Sequence, residues 1–304
     1  MNNILKKLYD LDVIGVIKVT NKVYRIKTKD NKHYGLKHLD DNNESVFAFL
    51  CILNISSFCI PIKNNEGNYI TKINDENFYL MPWYDDEMLL AKEIKLRFYI
   101  EELIKLHNYS SYDTKINTGY FEDIFLELEK MIIEEENDIN TYLSMIEKKE
   151  YKSPSEWLFL LNNNKFYAAI NKSKDHLNKF RELVKEMDTI RVSLNYLNFN
   201  FDNILVKDKK IIGIEKIKSA PIVYDIKDLF DKSYNLSIDF IMYIKMYLKE
   251  NSLLDYEKEW LLTMTSIPFI DYSNHNEIGN IIDLSKIIYR INRSDDLEKI
   301  LFNK

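Results

Sequence analysis

The sequence predicts an α+β protein in two lobes. One is a small antiparallel five-stranded sheet lobe over residues 1–83, and the other a larger, mostly helical lobe over 84–304. Three observations carry this. Short runs of strand formers separated by turn chemistry fill the first 83 residues. From Asp85 onward, apolar residues recur at helical spacing. The exception inside the helical part is "YLNFNFDNILVKDKKIIGIEK" (196–216), where "NILV" and "IIGIEK" flank "KDKK" as a small hairpin. No internal repeat and no flexible linker interrupts the chain.

A short helix opens the chain. "GVIKVTNKVYRIKTKDNKHYGLKHL" (15–39) then reads as three strands built on Val19, Val23, Ile26, Tyr34 and Leu36, with "KTKDNKHYG" as turn chemistry. "NNESVFAFLCIL" (42–53) places Asn before Glu and an apolar run, the pattern of an N-cap and its helix. The uncharged part of Ser45–Ile62 is interrupted by Asn54, Ser56, Ser57 and Pro61. A membrane span needs about 20 mostly apolar residues, so this stretch reads as a buried helix followed by a strand. "NYITKI" (68–73) and "NFYLMPW" (77–83), joined by "NDE", complete the five strands. Residues 91–109, 121–149, 155–187 and most of 226–263 follow as helices, the first with Ile94, Phe98, Leu103 and Leu106 near helical spacing.

Composition narrows the function classes. The chain is 46% hydrophobic and 30% charged with a net charge of −6, the balance of a globular protein with a substantial core. No basic stripe is present, which argues against nucleic acid as a partner. The Tyr and Phe excess reads as packing, because no basic residues interleave with it. Gly is scarce, at 6 residues, which disfavours a glycine-rich phosphate cradle. Cys51 and Cys59 lie in apolar surroundings and read as two buried thiols of a reducing compartment. The five histidines form no cluster, and the N-terminus lacks the apolar stretch of a signal peptide, which implies cytoplasmic synthesis.

Phosphoryl transfer from ATP in a two-lobed kinase uses a strand lysine positioned by a helix glutamate. It also uses a loop H-x-D-x-x-x-x-N with a base and a metal-binding amide, and a hairpin that presents a second acid. The order of elements here resembles the aminoglycoside phosphotransferase and choline kinase-like superfamily over nearly the whole chain, and most closely its CotS-like spore coat branch. "YGLKHL" is similar to the lysine strand, implying Lys37. "NESVFAFLCILNISSFCIP" resembles the E-x-x-x-L helix leading to a proline, implying Glu44. "FYLMPWYDDE" resembles the inter-lobe segment, implying Met81 and Trp83 as nucleotide contacts. "LIKLHNYS" resembles a helix end at His107, and "KFYAAINKSKDHLNKFRELV" the stretch before the catalytic loop. "APIVYDIKDL" resembles the segment whose aspartate braces that loop, implying Asp225. Laid on the loop motif, "YLNFNFDN" puts Tyr196 at the histidine, Asn198 at the catalytic aspartate and Asn203 at the metal amide. In "IIGIEK", Glu215 stands where the resemblance expects the metal-binding acid.

The departures have consequences. A neutral amide accepts no proton, so Asn198 removes general-base function, typically ~10²–10⁴ in rate. Glu215 carries its carboxylate one bond further than aspartate, ~1.5 Å, and displacements of about 1 Å can cost on the order of 10²-fold. Read without the resemblance, Lys37 is a surface lysine and Glu44 an acid in a first helical turn. Asn203 is then a turn amide, Asp225 a helix cap, and Tyr196 and Trp83 core aromatics. His107 is structural under either reading. Three functions follow: a non-catalytic pseudokinase of the spore coat with other coat proteins as partners, a small-molecule kinase with atypical residues, and a pseudokinase that binds ATP, with Mg²⁺, as a structural ligand. The coat localisation is implied by the resemblance alone.

Overall fold

The computed structural model describes residues 2–40, 44–85, 91–236, 239–269 and 276–302. Their elements run α1 (Asn2–Tyr9), β1 (Val13–Lys18), β2 (Val23–Thr28), β3 (His33–Leu39), α2 (Glu44–Ile52), β4 (Ile70–Ile73), β5 (Glu76–Pro82) and α3 (Lys92–Ser110). They continue β6 (Tyr112–Lys115), α4 (Tyr120–Glu147), α5 (Pro154–Val184), β7 (Thr189–Asn195), β8 (Ile204–Leu205), β9 (Lys210–Ile211) and β10 (Lys218–Ala220). The chain ends with α6 (Val223–Lys232), α7 (Phe240–Glu250), α8 (Asp255–Ser266) and α9 (Glu277–Leu301). A five-stranded antiparallel sheet lobe is thus followed by a larger helical part, as the sequence predicts.

Contact density divides the chain into two compact units, 1–110 with 196–219, and 111–195 with 220–304. The sequence boundary at 83/84 marks a change of pattern from strand to helix. The contact-based division keeps α3 and the 196–216 hairpin with the sheet.

In the first unit the sheet order is β1-β2-β3-β5-β4. The turn between β4 and β5 has two residues, Asn74 and Asp75, both left-handed at φ 52° and 65°. Those angles match the twist of a tight hairpin, and Asn and Asp tolerate them best among residues with a side chain. One face of the sheet buries Ile26, Leu36, Ile73, Phe78 and Leu80 against Leu5 of α1. Period-two alternation sends Lys37, Tyr79, Gly35 and Met81 to the opposite face. Lys37 is opposite Tyr79 in register and Gly35 is opposite Met81.

Three expectations change here. The strand proposed after α2 is two isolated bridges, Phe58 with Ile211 and Ile62 with Leu80, because the segment's backbone groups find partners on two different elements. Cys51 is exposed, so only Cys59 is a buried thiol; α2 buries Phe47 and Leu50 and turns Cys51 and Ile52 outward. The N-cap asparagine expected before Glu44 lies outside the described residues.

In the second unit, α5 packs on α4, α8 and α9. Its start carries a full capping box, Ser153 with Glu156, and Pro154 in the first turn, which satisfies N–H groups the helix cannot bond internally. Phe121, Phe125, Phe180 and Trp260 form the aromatic centre, with Phe180 stacked on Trp260 at 5.1 Å. β6 and β7, absent from the sequence reading, pair antiparallel from Tyr112–Val192 to Lys115–Thr189. Among the described residues no helix is long and apolar enough to cross a membrane.

Candidate functional site

The 196–216 segment folds as a tight loop followed by a hairpin. Leu197 is left-handed at φ 53°, an arrangement that costs a residue with a Cβ roughly 1–2 kcal/mol. Asn200 caps a short 3₁₀ turn, Phe201–Asn203, by accepting the Asp202 N–H at 3.1 Å. The hairpin closes through Ile204–Ile211 and Leu205–Lys210, and the Ile212 N–H returns to the Asn203 carbonyl at 2.9 Å.

Tyr196 is fully buried, and its hydroxyl donates to the Ile212 carbonyl at 2.6 Å. Its ring packs between Phe58, at 5.9 Å, and Tyr99 of α3, at 5.8 Å. Where the motif expects a histidine, the chain has an aromatic peg that ties loop to hairpin. Two residues of α3 outside the sequence-based set support it. Tyr99 also packs on Phe199 at 4.8 Å, and the buried Lys95 donates to the Phe201 carbonyl at 3.0 Å. In the sequence, Lys95 looks like any charged helix residue and carries no signal of that role.

The polar centre brings together Lys37, Asn198, Asn203 and Glu215. Lys37 Nζ donates to Glu215 Oε1 at 2.7 Å, with the two side chains only 17% and 21% exposed. The Tyr79 hydroxyl donates to Glu215 Oε2 at 3.2 Å. Asn198 Nδ2 donates to the Gly213 carbonyl at 2.7 Å and lies 3.4 Å from Glu215 Oε1. Asn203 Nδ2 donates to the Asn198 carbonyl at 3.1 Å. Gly213, at φ 73°, fits against both amides: a Cβ there would lie 2.8 Å from Asn198 Nδ2 and from Asn203 Nδ2.

These contacts assign electrostatic roles. Burial pushes the Tyr79 phenol well above its ordinary range, and the adjacent Glu215 carboxylate pushes it the same way. Tyr79 therefore remains a hydrogen-bond donor to Glu215. Asn198 offers a donor at the position where a general base has to accept, so the site can hold charge and position groups but takes no proton at residue 198.

The remaining sequence-based residues lie elsewhere. Glu44, in the first turn of α2, accepts the Tyr69 and Ile70 N–H groups at 2.5 and 3.3 Å. It secures the start of β4, while Lys37 takes its carboxylate partner from the hairpin. Met81 is buried, and Gly35 allows it a close approach: a Cβ at Gly35 would lie 3.1 Å from Met81 Cε. Trp83 carries the Arg25 guanidinium 5.0 Å from its ring centre. His107 is fully buried in the last turn of α3. Asp225 is fully buried in the first turn of α6, within the second unit.

Neither a family model nor a curated protein matches the sequence. Solved structures do. An aminoglycoside phosphotransferase from Alicyclobacillus acidocaldarius subsp. acidocaldarius superposes with a TM-score of 0.68 at 11% identity, over 100% of this chain and 97% of that one. A spectinomycin phosphotransferase in complex with ADP and spectinomycin gives 0.53 at 12% identity over 97% of both chains. Its AMP-bound form gives 0.57 at 12% identity, over 97% of this chain and 96% of that one. At these identities the likeness shows the fold alone: the chain has the two-lobed protein kinase-like fold found in small-molecule phosphotransferases.

Proposed function

We propose that this chain is a pseudokinase, a phosphotransferase scaffold that performs no phosphoryl transfer and serves through its surfaces. The observation that carries this reading is the Asn198 side chain. Its Nδ2 donates to the Gly213 carbonyl at 2.7 Å, so the residue acts as a strut between loop and hairpin. Proton acceptance there is worth ~10²–10⁴ in rate in working sites. The CotS-like resemblance adds the cellular setting, a structural or assembly role in the spore coat with other coat proteins as partners. That part rests on the sequence motifs only.

The test is ATP turnover over a panel of hydroxyl-bearing acceptors. No phosphorylated product above the protein-free rate is expected. Turnover that disappears in Lys37→Ala would overturn the reading and favour an atypical small-molecule kinase.

A second reading, an ATP-binding pseudokinase, is favoured by the retention of Lys37 on the same sheet face as Met81, and by the ADP- and AMP-bound forms of a structural neighbour. A ligand at 100 times its dissociation constant stabilises by about 2.7 kcal/mol. A rise in Tm with ATP but without turnover would select it.

A further inference from the structure

A divalent metal beside a catalytic-loop amide needs carboxylate oxygens. Mg²⁺ in particular takes near-octahedral oxygen ligands, one or two of them from carboxylates, the rest from phosphates and water. At this site Glu215 is the carboxylate in place, and its oxygens are already engaged. Both oxygens of Glu215 face N–H or O–H donors, Oε1 toward Lys37 and Asn198, Oε2 toward Tyr79. The backbone position aimed at Asn203 is Gly213, whose virtual Cβ points at the two amide groups from 2.8 Å. Among the described residues, no three His, Cys, Asp or Glu side chains converge on a point that would suit a metal ion. An ammonium held 2.7 Å from the Glu215 carboxylate also repels a second cation.

We propose that this site takes no divalent cation, that the Lys37 ammonium is its resident positive charge, and that Gly213 marks the place of the missing metal ligand. The inference rests on reading 196–216 as a catalytic-loop-like segment. It makes any anionic ligand of the site, a nucleotide phosphate included, one that binds in contact with lysine and independently of Mg²⁺. Gly213 is left-handed at φ 73°, a conformation that aspartate tolerates better than most residues. The two amides it would displace are held by hydrogen bonds, so a carboxylate introduced there costs stability and the variant's fold has to be verified.

The experiment is a Mn²⁺ titration of the nucleotide-free protein, read by the paramagnetic resonance signal of free Mn²⁺. The wild type is expected to show no saturable site. The double variant Lys37→Met with Gly213→Asp, checked for fold by circular dichroism, is expected to gain one saturable site that Asn203→Ala abolishes. A saturable site in the wild type that disappears in Asn203→Ala overturns the proposal, whatever the variants do. A folded double variant with no site overturns the assignment of Gly213. The readout involves no turnover, so it fails independently of the pseudokinase reading, which the phosphotransfer assay tests.

Discussion

Under the proposed reading Asn198→Asp places a carboxylate at the general-base position, and the geometry around it predicts lost stability at neutral pH with no gain of activity. In the native site Nδ2 donates to the Gly213 carbonyl at 2.7 Å. An ionised carboxylate would oppose two acceptors there, forfeiting about 0.5–1.5 kcal/mol for the hydrogen bond. It would also meet Glu215 Oε1 at 3.4 Å. Two unit charges at that distance repel by ~1 kcal/mol in water and ~5 kcal/mol at an effective dielectric of about 20. Lys37, 2.7 Å from the same oxygen, offsets part of this. A net loss of about 2–4 kcal/mol follows from these terms, a Tm decrease of roughly 3–6 °C for a chain of this size. The introduced carboxyl has a folded pKa above its unfolded value of about 3.9, so the unfolded chain releases the proton first as pH rises. The deficit is therefore small in acid, where the protonated group can donate to Gly213, and grows to its full size above the raised folded pKa. Paired denaturation curves of the wild type and Asn198→Asp across that range read it directly. Equal stability at neutral pH, or robust phosphotransfer from this single change, refutes the reasoning.

Three more predictions are independent of one another. Gly213→Ala adds a Cβ to a left-handed residue pressed 2.8 Å from two amide nitrogens, and a loss of about 1–3 kcal/mol in urea unfolding is expected. Burial pushes the Cys59 thiol up to about 11, whereas Cys51 is exposed. An alkylating reagent should therefore modify one thiol of the native protein and both after denaturation, with Cys51→Ser removing the native reaction. In the second unit, the Ser155 N–H donates to Glu277 at 2.5 Å and holds its carboxyl below the ordinary value. The folded pKa is depressed, so this stabilisation is present above the unfolded value of about 4.3 and disappears as pH falls through the folded pKa. Glu277→Gln should be less stable than the wild type at neutral pH, with the gap closing in acid.

Much of the architecture was legible because the signals were local. Strand formers alternate around Ile26 and Leu36, "NDE" supplies left-handed turn residues, and the long helices repeat apolar residues over many turns. β6 carries no such signal: Tyr-Asp-Thr-Lys is short, polar and largely exposed. β7 did carry one, since Ile190, Val192 and Leu194 alternate and are buried. At the site, residue identities were readable and partners were not. Glu44 reads as an acid in a first helical turn, yet which N–H groups it caps depends on β4, some 25 residues away. Lys37 and Glu215 meet across 178 residues, which no local pattern records. Gly213 looks like a hairpin glycine until its missing side chain is seen to point at two amides.

Leu197 remains in a backbone conformation that disfavours every residue with a Cβ, held there by the buried Tyr196 peg before it and the Asn203–Asn198 bond after it. The strained turn is thus fixed by contacts on both sides of it. Anyone wishing to build a catalyst on this scaffold would have to exchange residues 37, 198, 213 and 215 together, because each one touches another of the set.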